Sequence, residues 1–143
     1  MGIVIDEGFI ESIDDPIVRH APELAGSAYA DVSIRDVLTM QRGVAFDEDY
    51  LDFWSDVNRM GRVLALGCSM DKFAASFPER ASAPGKRWTY VSIDTHVIGM
   101  VIRGATGRSI PDLIRKKIVV PRGSRPTTII LSIQRELHSS WEV

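Results

Sequence analysis

Cysteine is nearly absent from this chain. Cys68 is the only one in 143 residues, which excludes an internal disulfide framework and any cysteine-rich metal centre. Histidine is scarce too: His20, His96 and His138 lie far apart with no H-E-x-x-H or similar pairing, so metal catalysis has no support. No metal or cofactor is expected. No apolar run approaches the roughly 20 residues that cross a bilayer, and the N-terminus lacks the basic, apolar and small-residue order of a signal peptide. Neither sign of charge dominates, with 17 Lys and Arg against 19 Asp and Glu and a net charge of -2. That balance offers no general pull toward nucleic acid or an anionic membrane. The small cluster Arg115-Lys116-Lys117 fits a solvated last helical turn, where cations suit the dipole. Together these absences predict a cytoplasmic, soluble chain, unless residues ahead of Met1 carry a signal peptide.

What is present is enough for one globular domain with a core, since 45% of the residues are hydrophobic. Helix signals are frequent and strand signals few. Met1 to Glu7 reads as the last turns of an apolar helix stopped by Gly8, with no cap at its start. Asp14-Asp15-Pro16 marks a brief helix start or tight turn, soon interrupted by Pro22. Ser33-Ile34-Arg35-Asp36 is capping-box-like, opening a helix that carries Ile34, Val37, Leu38 and Met40 toward Gly43. Phe46 to Phe53 has no period and reads as an acidic, aromatic loop. Ser55 caps a helix whose apolar face holds Val57, Met60, Val63, Leu64 and Leu66, ended at Gly67. Ser69 caps a shorter helix through Phe77, and Arg87 to Val91 is a short extended piece. The strongest helix is predicted over residues 93–105, with Ile93, Val97, Met100, Val101 and Ala105 as its stripe and Gly107 as its stop. Ser109 starts another. After Pro121 the texture changes to a linker-like stretch, and residues 124–143 are expected to be either disordered or a single strand around Ile129 to Leu131.

Three stretches in order along the chain carry a resemblance. They are Ile5 to Ile10 with Asp14-Asp15-Pro16; Ile34 to Met40 through Gly43; and Tyr90-Val91-Ser92-Ile93-Asp94-Thr95 with Gly99 and Ala105 to Ser109. Over residues 1–123 the chain resembles the central part of the β-lactamase-related serine hydrolases, a family of class C β-lactamases, penicillin-binding-protein-like esterases and 6-aminohexanoate-dimer hydrolases. The resemblance implies a mainly α fold, the helical lobe of an α/β (α+β) hydrolase with most of its antiparallel sheet missing. Apolar faces that would meet the sheet should then be exposed and favour self-association.

The family's chemistry sets a Ser-x-x-Lys turn beside a Tyr-x-Asn or Tyr-x-Ser element. A serine hydroxyl is a poor nucleophile until a base takes its proton. A lysine one helical turn away, with a tyrosine near it, can share that work because the ammonium favours the phenolate. By resemblance Tyr90 is the base-side tyrosine and Ser92 the hydrogen-bonding residue two places on. Serine in place of asparagine leans toward the esterase or amidase branch, whose substrates are small esters or amides. The bland alternative is a half-buried Tyr90 packed beside Trp88, with Ser92 as a helix cap. Tyr50, in Asp47-Glu48-Asp49-Tyr50-Leu51-Asp52, resembles a loop tyrosine presented to the substrate amide, although Phe53 stands where such loops often carry proline; the alternative is an exposed loop with one aromatic anchor. Ser69-Met70-Asp71-Lys72 matches Ser-x-x-Lys literally, yet its position after Gly67 suits an N-cap. The resemblance instead puts the nucleophile turn just before Met1, which would leave this chain inactive alone, and no late-strand Lys-Thr-Gly follows Pro121. Cys68 has no histidine patterned to activate it.

Overall fold

The computed structural model describes residues 1–120, which form two compact units, one over residues 1–106 and one beginning at Gly107. The strand proposed at 129–131 lies outside the described residues. Within the first unit the order is α1 (Gly2–Asp6), two 3-10 turns (Ile17–Arg19 and Pro22–Leu24), α2 (Ile34–Leu38), α3 (Asp56–Ala65), α4 (Met70–Ala75) and α5 (Ile93–Thr106). Among the described residues, β structure amounts to two isolated antiparallel bridges, Pro16 with Ser33 and Val44 with Arg80. The mainly α fold read from the sequence is the one observed.

Helices α2, α3 and α4 each start at a serine whose side chain takes an orphan backbone donor. Ser33 accepts from the Asp36 N–H at 3.1 Å while the Asp36 carboxylate accepts from the Ser33 N–H at 3.3 Å. Aspartate thus closes the box usually closed by glutamate. Ser55 caps α3 through the Asn58 N–H. Gly8, Gly67 and Gly107 follow α1, α3 and α5 with φ between +63° and +76°, the stops that the sequence marks.

Helix α5 organises the core. It packs on α1, α2 and α4, and Ile93, Val97 and Val101 are fully buried in a cluster with Ile17, Leu24, Tyr29 and Ile34. Removing each such aliphatic side chain from water contributes about 1.5–3 kcal/mol. At Gly104 the contact with the first 3-10 turn is so close that a Cβ would lie 1.6 Å from the His20 carbonyl oxygen. Only glycine lets α5 lie there.

Three expectations need correction. Helix α2 stops at Leu38 instead of running on toward Gly43, because Met40 takes φ +58° and turns the chain sharply. Helix α4 ends at Ala75, with Ser76 as its C-cap and Phe77 beyond it. On α3, Val57 is buried and Met60 and Val63 reach the core, but Leu64 and Leu66 are exposed. Their helical spacing is right, yet among the described residues no element covers the last turn.

In the second unit, Ser109 caps α6 (Ile110–Ile114), accepting from the Asp112 N–H, and a π turn follows over Arg115–Val119. Arg115 and Lys116 are exposed.

Candidate active site

The acidic loop before α3 is built from its own aspartates. Asp47 accepts from the Asp49 N–H at 2.9 Å, Asp49 from the Leu51 N–H at 2.8 Å, and Asp52 from the Trp54 N–H at 2.8 Å. Such local bonds hold a chain in tight turns without a sheet or helix partner. From α3, the Asn58 amide donates to the carbonyls of Tyr50 (3.1 Å) and Asp52 (2.7 Å), and Arg62 donates to the Phe53 carbonyl at 2.7 Å. Phe53, which stands where the loops it resembles often carry proline, lies under the Arg62 guanidinium at 4.3 Å. The loop is therefore shaped from both ends, and Tyr50 stands exposed on it.

Tyr50 and Ser92 meet. Their hydroxyl oxygens are 3.2 Å apart across 42 residues of sequence. Glu48 joins them: the Tyr50 hydroxyl donates to its Oε1 at 2.7 Å, the Ser92 N–H donates to its Oε2 at 3.1 Å, and the Ser92 hydroxyl donates to Oε1. Each hydroxyl has one proton, and both are directed at the carboxylate. The Ser92 hydroxyl pulls the Tyr50 phenol down, but the hydrogen bond to Glu48, burial and the Glu48 charge leave it above its ordinary value. Tyr90 lies within electrostatic reach of Tyr50. Tyr90 is 53% exposed and Trp88 is 64% exposed. Ser92 spends its hydroxyl on Glu48.

Beneath this element is a buried charged group that sequence reasoning missed. Arg42 and Asp94 are each 1% exposed, with Arg42 Nε 3.2 Å from Asp94 Oδ1. Tyr29 donates its hydroxyl to the same oxygen at 3.0 Å. Burial pushes the Asp94 carboxyl up to about 6, against the pull of Arg42 and Tyr29, with Glu48 adding to the rise. Burial also raises the Tyr29 phenol, helped by the Asp94 charge. No local pattern distinguishes such residues from surface charges.

Ser69 does what a cap does, accepting from the Lys72 N–H at 3.3 Å, and among the described residues no hydrogen bond links it to Tyr50, Tyr90 or Ser92. Cys68 is exposed. The neighbouring Asp71 is spoken for: His96 Nε2 lies 2.8 Å from it and Arg103 donates to both its oxygens. Burial would lift the Asp71 carboxyl, but those bonds hold it below its usual range. A cleft of about 480 Å³ lined by Phe46, Asp47, Asp56, Arg59, Phe77 and Glu79 opens elsewhere on the loop, and none of Tyr50, Tyr90 or Ser92 lines it. Among the described residues no group of His, Cys, Asp and Glu could hold a metal, and no helix is long and apolar enough to cross a membrane.

The mainly helical fold fits a β-lactamase-type protein, and the chain belongs to that family: the beta-lactamase family model matches residues 4–138. Among curated proteins it is similar to the 6-aminohexanoate-dimer hydrolase of Paenarthrobacter ureafaciens, 32% identical over 112 residues, covering 75% of this chain and 28% of that protein. Two solved structures share the fold over 85% of the chain and 34% of theirs. One is a protein assigned as a beta-lactamase from Bacteroides dorei DSM 17855 (TM-score 0.63, 23% identity), and the other is unliganded simvastatin synthase (LovD) from Aspergillus terreus (TM-score 0.57, 18% identity). The chain thus spans about a third or less of the length of these relatives.

Proposed function

We propose that this chain is the helical lobe of a serine hydrolase that cleaves a small ester or amide through an acyl-serine intermediate. Tyr90 stands on the base side of the nucleophile, Ser92 hydrogen-bonds at the reacting centre, and Tyr50 reaches the substrate from its loop. The observation that carries this reading is the meeting of Tyr50 and Ser92. Two elements remote in sequence, each singled out for a role in the same chemistry, share one carboxylate. The Tyr90 hydroxyl makes no hydrogen bond to another described residue, which leaves its oxygen available to take the serine proton in the attacking step and return it to the leaving group. Similarity to a 6-aminohexanoate-dimer hydrolase supports an esterase or amidase over a true β-lactamase. The nucleophile itself is assigned to neither Ser69 nor Cys68, so the chain alone is inactive.

A second reading, a non-catalytic helical module, draws on the exposed Leu51, Trp54 and Leu66. Two assays test the proposal, and the second separates the readings. The purified chain and its Ser69→Ala variant should turn over neither a chromogenic β-lactam nor a p-nitrophenyl ester; turnover lost in the variant would make Ser69 the nucleophile after all. A chimera in which residues 1–120 replace the matched stretch of the curated hydrolase should keep ester turnover and lose roughly 100-fold or more on Tyr90→Phe, the scale of general acid–base catalysis. A folded chimera indifferent to that change would leave only the interaction module.

A further inference from the structure

Arg42 is among the largest fully buried side chains of the chain, and the proposed chemistry does not use it. Taking a guanidinium out of water is costly unless its donors are met. Its one hydrogen bond and its ion pair both go to the stretch that bears Tyr90 and Ser92, Tyr29 also lies against the guanidinium, and Nη2 has no hydrogen-bond partner among the described residues. Nη1 donates to the Thr89 carbonyl at 3.1 Å, and Nε faces Asp94 Oδ1 at 3.2 Å. The backbone next to Arg42 grips the same place, since the Thr89 N–H donates to the Met40 carbonyl at 2.9 Å. Met40 makes that bond with φ +58°, a conformation a methionine keeps only where its surroundings impose it. Tyr29 holds Asp94 from the other side at 3.0 Å, and Val91 is fully buried between the two anchors. Residues 89 and 94 are therefore fixed, residue 91 is a peg, and Tyr90 and Ser92 are the side chains left facing outward.

We infer that Arg42 is a positioning residue for the Tyr90-x-Ser92 element: one guanidinium ties the backbone just before Tyr90 to the carboxylate just after Ser92, and so fixes how the two hydroxyls are presented. This deepens the proposed function and rests on its reading of Tyr90 and Ser92. The planar fork of arginine can serve two acceptors at once, which the single ammonium of lysine cannot. Arg42→Lys keeps the charge beside Asp94 but gives up one of the two contacts.

The test uses the full chain with 3-fluorotyrosine at its three tyrosines, read by fluorine NMR, and amide exchange read by mass spectrometry. In Arg42→Lys the Tyr90 resonance should move and broaden, and exchange over residues 89–92 should quicken about tenfold, equivalent to about 1.4 kcal/mol. Exchange over residues 97–106 should stay as in the parent chain. If Arg42→Lys does not fold, Asp94→Asn is judged by the same criteria. An unchanged Tyr90 resonance and unchanged 89–92 exchange in a folded variant would overturn the inference. So would equal loosening of 97–106, or failure of both variants to fold, since each marks a role in the whole core. The clamp and the element fail separately: exchange judges the clamp, and Tyr90→Phe in the active chimera judges the element.

Discussion

Asp94 gives the chain an unusual dependence on pH. Its carboxyl is lifted to about 6 in the fold from 3.8, chiefly because burial penalises the ionised form. A group whose folded value is raised takes up a proton on folding. Its contribution is fully present below about 3.8 and is lost as pH rises through about 6. A shift of about two units corresponds to about 3 kcal/mol at 1.36 kcal/mol per unit. Unfolding by urea, followed by tryptophan fluorescence from about pH 4.5 to about pH 7, should show stability falling as pH rises, steepest near pH 5 and by at most about 1.4 kcal/mol per unit. Asp14 and Asp71 act in the opposite sense, because their values are lowered and their contributions are lost only as pH falls below the ordinary carboxylate range. Asp94→Asn should flatten the wild-type slope across the window. The slope, and not the absolute stability of the variant, is the readout. A parent chain whose stability is flat or rises from pH 4.5 to 7, or a variant that keeps the parent slope, would refute the assignment.

Three further outcomes follow from particular contacts. Gly104→Ala would put a methyl 1.6 Å from the His20 carbonyl oxygen, so α5 must shift and denaturant unfolding should show a loss of about 1–3 kcal/mol; a neutral result would mean that α5 and the 3-10 turn are not in contact. Glu48→Gln removes the charge and hydrogen bond that raise the Tyr50 phenol, so the Tyr50 fluorine resonance should titrate at lower pH than in the parent, and an unmoved midpoint would disprove the contact. Exposed Leu51, Trp54 and Leu66 should make the chain self-associate in sedimentation experiments, and Leu66→Asp should reduce that association; a monodisperse monomer with a sharp thermal transition counts against it.

How much of this was legible depends on how far each signal travels along the chain. Caps at Ser33, Ser55, Ser69 and Ser109 and glycine stops after α1, α3 and α5 are decided within four or five residues, so sequence reading finds them. The stripe of α5 is legible because nearly every apolar position on it has a neighbour. Leu64 and Leu66 carry the same periodicity without one, and pattern cannot tell a covered turn from a bare one. Arg42 and Asp94 were invisible for the converse reason: their burial is a property of partners 47 to 65 residues away, and nothing local distinguishes them from solvated charges. Glu48 lay in plain view as one of several acids in a loop. Its neighbours cap their own turns, and only the fold shows that it reaches Ser92.

The two grips on the Tyr90-x-Ser92 stretch therefore differ in kind. Arg42 holds it from inside, fully buried with Asp94 and bonded to the Thr89 carbonyl, where little water competes. Glu48 holds it from a half-buried position beside an exposed tyrosine, where water competes for every hydrogen bond. Under the proposed function, a substrate that offers its own acceptors to Ser92 and Tyr50 would compete with Glu48 while the scaffold stays fixed. An acceptor that is easily displaced, set over hydroxyls that are rigidly placed, suits a binding element better than a packing one. That asymmetry is the physical reason to read Tyr50 and Ser92 together.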